Sequence, residues 1–271
     1  MLGYIKQRSM RHLFITLLIL PTFAVHAAEP ARWQPGSIRS FDIQLNDPPS
    51  AVAIPDVDVV ELDHDTAPGI LQAMQQRGTK LICYINAGAW ESYRSDRDAF
   101  PPEVLGNGYD GYPEERWLDI RQIAKLAPIM RARMDQCAAK GFVAVDPDNI
   151  NGYDNRTGFP ITRADQLAYN RWLMQEAHAR GLAIALKNAP EFAQVLSDEG
   201  YDMAVTESCF ADGFCESFKP FIAAGKPVLD LEYLDEGMSL DDFCDDAKTL
   251  GIRALLKRSS SSIDDYRATC R

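Results

Sequence analysis

Carboxylates, amides and a lysine collect at the ends of short apolar runs in this 271-residue chain. Asp42 and Gln44 lie in SFDIQL, Asp63 follows VDVVEL, and Tyr84 and Asn86 lie in LICYIN. Asp146 and Asp148 end FVAVDPD, Lys187 and Asn188 end LAIALKN, Glu207 ends MAVTE, and Asp230 and Glu232 lie in PVLDLE. Tyr84, Trp90, Trp117, Tyr153 and Tyr233 are interspersed among them. Two carboxyl groups across a cleft can protonate a leaving oxygen and either attack or activate water, the chemistry of glycosidic-bond hydrolysis. Aromatic faces suit the apolar faces of sugar rings, although any single Trp is more often core. Asp148 and Glu207 carry this reading best, because neither immediately precedes an apolar helical run that it would cap. Asp63 is read equally well as a helix cap. Lys187 also serves as a counter-charge to a neighbouring acid, and Asp230 as a buried hydrogen-bonding group.

Other chemistries lack their residues. No GxSxG elbow supplies a nucleophilic serine, and Leu45-Asn46-Asp47-Pro48-Pro49 is no dinucleotide-binding loop. Asp146 and Asp148 stand in no evenly spaced calcium loop, and too few histidines remain outside the leader for a multi-histidine zinc site. No cofactor or metal is expected. With 28 Lys and Arg against 39 Asp and Glu, the net charge of −11 repels phosphate backbones, so nucleic acid is not an expected partner. A cationic or neutral ligand fits.

These residues need a scaffold that gathers strand ends. Eight strands are predicted: 40–45, 57–62, 81–86, 142–146, 182–187, 203–207, 227–232 and 252–257. Helical patterns lie between several of them. One runs through 119–140, with Ile120, Ile123, Leu126, Met130 and Met134 three or four apart and Gly141 at its stop. Thr162 to Asp165 and Ser239 to Asp242 read as capping boxes for two more, and a short helix fits 69–77. Strand–helix alternation implies parallel strands with right-handed crossovers, and eight such units close into one (β/α)8 TIM barrel. Its active site lies at the carboxyl ends of the strands. Alternation along the fourth strand turns Val143 and Val145 to the helices, so that Asp146 and Asp148 face the mouth. Along the seventh, Leu229 and Leu231 take the helix side and Asp230 and Glu232 face the axis.

Residues 1–27 read as a signal peptide. Lys6, Arg8 and Arg11 precede the apolar run Leu13–Val25, and Val25-His26-Ala27 supplies small residues for cleavage. The run is short for a bilayer span, which needs about 20 apolar residues, so no stable membrane insertion is expected. Its removal takes three basic residues and no acidic one, moving the charge from −11 to −14, and leaves 28–271 as one domain. All six cysteines lie beyond it, which favours disulfides in a secreted or periplasmic protein. Cys209–Cys215 and Cys244–Cys270 are the expected pairs. Cys83–Cys137 competes with buried free thiols, since alternation points Cys83 at the helix that carries Cys137.

The chain resembles the endo-α-1,4-polygalactosaminidase family of glycoside hydrolases, family 114. The likeness extends from Trp33-Gln34-Pro35-Gly36 to Leu231-Glu232-Tyr233. It rests on ICYINAG at 82–88, WESYRSD at 90–96, ERWLD at 115–119, DPDNINGY at 146–153, LKN at 186–188 and ESCF at 207–210. The resemblance implies a barrel and endo-cleavage of α-1,4-linked galactosamine polymers. It also implies a catalytic pair at the positions of Asp148 and Glu207. Asp146 and Asn151 depart from the family's usual Glu and Asp.

Joined to strand-end geometry, the resemblance makes Asp148 the nucleophile and Glu207 the proton donor. The fourth and sixth strands face each other across the mouth, partial burial would raise the Glu207 pKa, and Lys187 would keep Asp148 charged. Asp146 and Glu232 are held in reserve for these roles and otherwise, with Asp63, Tyr84, Asn149 and Lys187, are expected sugar contacts. The competing function is a non-catalytic barrel that binds an amino-sugar polymer. A de-N-acylating esterase would need the serine or metal that is missing.

Overall fold

Short β-branched and aliphatic runs give the chain its strands, and the polar residues that end them set where each strand stops. The computed structural model describes residues 31–36, 38–45 and 55–270, together with Gly3 and Ala53. The expected signal peptide, residues 1–27, lies outside the described residues apart from Gly3. In chain order the strands are β1 (Phe41–Gln44), β2 (Val59–Asp63), β3 (Lys80–Asn86), β4 (Ala89–Glu91), β5 (Leu105–Tyr109), β6 (Tyr112–Leu118), β7 (Ala144–Asp148), β8 (Ala183–Lys187), β9 (Met203–Glu207), β10 (Val228–Tyr233), β11 (Arg253–Lys257) and β12 (Ala268–Thr269). The helices are α1 (Pro68–Gln76), α2 (Ile123–Ala139), α3 (Arg163–Ala179), α4 (Ala193–Glu199), α5 (Lys219–Ala223) and α6 (Leu240–Leu250). Each fills a crossover between successive barrel strands.

The main sheet runs β1-β2-β3-β7-β8-β9-β10-β11-β12, parallel except for β12. Its first eight strands are the staves of a TIM barrel. Between β11 and β1, no ladder joins the backbones among the described residues. Side chains and the C-terminal segment cross that seam. Lys257 Nζ lies 2.6 Å from Asp42 Oδ1, Arg253 donates to the Ile38 carbonyl, and Arg267 donates to the Phe41 carbonyl.

Register separates the two faces of every stave. Phe41, Val59, Ile82, Ala144, Met203 and Leu229 belong to one buried cluster inside the barrel. Val60, Leu81, Val145, Ile184 and Ala204 pack outward against the helices. Both faces are apolar, as parallel sheets require. That symmetry inverts one expectation. Leu229 pairs with Val205 and Leu231 with Glu207, so both leucines face the barrel axis. Asp230 and Glu232 point outward to the backbone of the segment after β9. Asp230 Oδ1 accepts from Thr206 Oγ1 and the Cys209 amide, and Glu232 accepts from the amides of Phe210 and Ala211.

Local signals stand where the sequence put them. The Asp165 amide donates to Thr162 Oγ1 and the Thr162 amide to Asp165 Oδ2, completing the capping box of α3. Asp242 likewise accepts from the Ser239 amide ahead of α6. Cys83–Cys137, Cys209–Cys215 and Cys244–Cys270 are all disulfides. One sheet was not expected. β4, β5 and β6 form a separate antiparallel sheet of order β4-β6-β5 between β3 and α2. Its turn, Asp110-Gly111, joins Tyr109 to Tyr112 with Gly111 at φ +86°. That φ suits glycine.

Candidate active site

Alternation that buries Ala144 inside the barrel also brings Asp146 and then Asp148 inward along β7. By the same parity Tyr84, two residues before the end of β3, and Lys187 and Glu207, the last residues of β8 and β9, lie on the inner side. They open into a cavity of about 860 Å³ whose walls include Asp63, Tyr84, Asp148, Asn149, Lys187 and Glu207.

Lys187 holds the centre. Its Nζ lies 3.3 Å from Glu207 Oε2, 3.8 Å from Asp148 Oδ1 and 3.7 Å from Asp146 Oδ2. Burial works against its charge, yet Asp148, Glu207, Asp146 and Glu61 outweigh burial and hold the ammonium well above its ordinary pKa. Asp148 Oδ1 and Glu207 Oε2 are therefore at most 7.1 Å apart, the sum of their distances to Lys187 Nζ. That bound admits both the separation of about 5–5.5 Å used for retention and the lower part of the range used for inversion.

Each acid has its own fixed neighbours. Tyr84 Oη donates to Asp148 Oδ2 at 2.9 Å, and the Asn149 amide donates to Oδ1 at 2.7 Å. Tyr233 Oη donates to Glu207 Oε1, and the Glu207 amide donates to Asn188 Oδ1. Non-glycine residues with positive φ directly follow three staves: Asn149 (61°) after β7, Asn188 (48°) and Ala189 (54°) after β8, and Ser208 (55°) after β9. Such conformations cost roughly 1–3 kcal/mol each and cluster at functional sites. Asn149 also brings its carbonyl so near Gly88 that a Cβ there would lie 1.7 Å from it. Only glycine fits.

Beneath Lys187 lies a group missed in the sequence. Glu61 on β2 and Asp146 are fully buried, and none of their four carboxyl oxygens has a donor among the described residues. They lie within hydrogen-bonding reach of each other. Burial, then the Asp146 charge, pushes Glu61 well above the carboxylate range. Burial also raises Asp146, to about 7, against the pull of Lys187. Burial thus favours the neutral form of Glu61 beside an Asp146 raised in the same direction. An acid flanked by Val59, Val60 and Leu62 was the available signal.

The remaining expected residues divide. Asp63 reaches the cavity but is bound at both oxygens by Arg94, 2.7 and 2.6 Å away, which lowers its pKa despite burial. Glu232 does not reach it. The carboxylate sits behind β10 holding Phe210 and Ala211, because the strand's parity is the reverse of that expected. Glu115 on β6 does reach the cavity. Burial, then Glu91 and Asp148, raise it to about 7 against the hydrogen bond from Asn86. Tyr109 and Tyr112 join it there, and Trp117 stacks behind Tyr109 with centroids 4.6 Å apart. The Asp-Gly turn between two tyrosines was their sequence signal. Of the groups with metal-ligand spacing among the described residues, the one made of Cys209, Cys215 and Asp230 has both its cysteines committed to a disulfide. Asp63, His64 and Asp65 are crossed by Arg94, which donates to both acids.

A model of glycoside-hydrolase family GH114 matches residues 22–271. The chain belongs to that family. It is an enzyme of the glycoside-hydrolase class. The crystal structure of Ega3 of Aspergillus fumigatus, in complex with galactosamine, is 30% identical with a TM-score of 0.80, covering 89% of this chain and 98% of that one. The glycoside hydrolase domain of PelA from Pseudomonas aeruginosa shares the fold at 13% identity and a TM-score of 0.65, over 86% and 99% of the two chains. An uncharacterised protein of Deinococcus radiodurans is 27% identical over 206 residues, 65% of this chain. The match spans 63% of that relative's length.

Proposed function

We propose that this chain is a secreted endo-acting glycoside hydrolase that cleaves α-1,4-linked galactosamine-containing polysaccharide with retention. The observation that carries the reading is Lys187 Nζ standing between Asp148 and Glu207, which fixes two acids across one cavity. The acidic chain and the anionic lining of the cavity favour a cationic amino sugar. The galactosamine in the Ega3 complex supports the same class of sugar.

In the first step an Asp148 oxygen attacks the anomeric carbon while the bond to the leaving oxygen breaks. Glu207 transfers its proton to that oxygen, and a glycosyl ester remains on Asp148. In the second step Glu207 takes a proton from water, the hydroxide oxygen bonds to the anomeric carbon, and Asp148 is released. Donors from Tyr84 and Asn149 orient Asp148, and Tyr233 with the Asn188 side chain orients Glu207 and its strand end. Lys187 stabilises the negative charge as it passes from one acid to the other. Asp146, Asn149 and Asp63 are read as supports and sugar contacts around this pair.

Residues 1–27 are read as a removed leader and 28–271 as the exported domain, a reading that three disulfides support. Digestion of galactosamine-containing and glucosamine-containing polymers, with mass analysis of products, tests the substrate. Asp148→Asn and Glu207→Gln should each lower turnover by about 10³-fold or more while the protein stays folded. Near-parent turnover in either variant refutes the assignment. Polymer binding without chain shortening by the parent protein leaves the non-catalytic barrel instead.

A further inference from the structure

A second cavity, of about 300 Å³, opens on the far flank of Glu207. It shares Asn151, Asn188 and Glu207 with the main cavity, but neither Asp148 nor Lys187 borders it. Glu207 is thus the divide between a space that contains the attacking acid and one that does not. One wall comes from the segment after β8, which Asn188 and Ala189 turn with positive φ so that Glu191 lines the space. The other comes from the segment after β9. There the Cys209–Cys215 disulfide closes a short loop that presents Asp212 and Phe214.

Chemistry assigns the two spaces different sugars. A proton donor must touch the glycosidic oxygen, and the sugar whose anomeric carbon is attacked must also touch the nucleophile. That sugar belongs in the main cavity. The sugar that departs belongs where Glu207 is present and Asp148 is absent. The lining then selects its substituent. Asp154, Glu191 and Asp212 border the space, and none of them pairs with a lysine or arginine among the described residues. Oε1 of Glu191 is buried there without a hydrogen bond, with the Tyr153 hydroxyl close to the carboxylate and Arg163 donating to the Glu191 backbone carbonyl. Phe214 adds an apolar face. Unpaired carboxylates with an orphaned acceptor fit an ammonium group, and an aromatic face fits the sugar ring that carries it. At about 300 Å³ the space is at the small end of ligand pockets, a size suited to one sugar ring.

We propose that this second cavity is the leaving-group subsite and takes an amino sugar with a free ammonium, held by Glu191 and Asp212 against Phe214. The assignment rests on the reading of Glu207 as proton donor. It also sets the polarity of the bound chain, with the attacked sugar over Lys187 and the reducing-end side running past Phe214. Space open on both flanks of Glu207 suits cleavage within a chain rather than at its end.

The test compares two substrates with the parent and with Glu191→Gln, Asp212→Asn and the double variant. One substrate is an oligomer of α-1,4-linked, fully de-N-acetylated galactosamine. The other is an aryl α-galactosaminide, whose leaving group carries no ammonium. The readout is kcat/KM on the oligomer divided by kcat/KM on the aryl glycoside. The double variant should lower that ratio about tenfold or more, the scale of one or two lost charged contacts. A ratio within twofold of the parent overturns the subsite assignment while leaving the functional reading intact. A parent protein that cleaves neither substrate overturns the functional reading, and this assignment with it.

Discussion

Glu115→Gln offers a quantitative check on the electrostatics of the mouth. The carboxyl group is raised to about 7 by burial, by Glu91 and by Asp148, from an ordinary value near 4.5. In the native state it holds a proton that the unfolded chain gives up. Its contribution to stability is therefore complete below the unfolded pKa and is lost as pH rises through about 7. Between pH 5 and pH 7 the integrated proton difference is roughly 1.6 units at 1.36 kcal/mol each, or about 2.2 kcal/mol, because the native group is half-ionised at pH 7. Partial solvent access to the group trims this to about 2 kcal/mol. Asp146, raised to about 7, and Glu61 and Asp230, raised well above their usual range, act in the same direction. His64 opposes them below about pH 6.5, because burial lowers its pKa and protonation then favours the unfolded chain. The parent protein should accordingly be less stable at pH 7 than at pH 5. Glutamine keeps an acceptor for Asn86 and removes the titration. Urea unfolding at both pH values should show the Glu115→Gln variant losing about 2 kcal/mol less than the parent over that interval. Equal losses in the two proteins would refute the reasoning.

Lys187→Met removes the cation that separates Asp146, Asp148 and Glu207. It should cost about 3–5 kcal/mol in urea unfolding, as broken buried ion pairs do, and lower kcat by at least about 10²-fold. A variant with parent-like stability and kcat would show that the lysine is incidental. Replacing Cys244 and Cys270 with alanine opens a loop with a sequence separation of 26. In the chain-entropy model this should lower stability by about 3.5 kcal/mol, measured by the same unfolding experiment. An unchanged midpoint would contradict the link between the last helix and the chain end.

The staves were legible because each is a short apolar run bounded by turn residues, and the acids at their ends were legible because they interrupt those runs. Asp148, Glu207, Tyr84 and Lys187 converge as strand alternation requires. What failed was the direction of one alternation. In β10 two leucines alternate with two acids, and a barrel stave is covered on both faces, so hydrophobicity alone does not say which pair faces the axis. Register with β9 decides it, and register is a long-range property. Glu61 was hidden because its partner, Asp146, lies more than eighty residues away. The small sheet that brings Glu115 to the mouth announced itself only by Asp110-Gly111. Tyr233, which donates to Glu207, was noted as a nearby aromatic; its hydroxyl role emerges only when β9 and β10 are side by side.

Proton NMR of the first-formed reducing ends, recorded while the protein digests de-N-acetylated α-1,4-galactosamine oligomers, tests the central claim most directly. An Asp148 nucleophile with Glu207 as acid and then base predicts that α reducing ends accumulate first and β ends grow in only by mutarotation. Reducing ends that form first as β would contradict the account, because inversion gives Asp148 the part of a base and leaves no covalent intermediate on it.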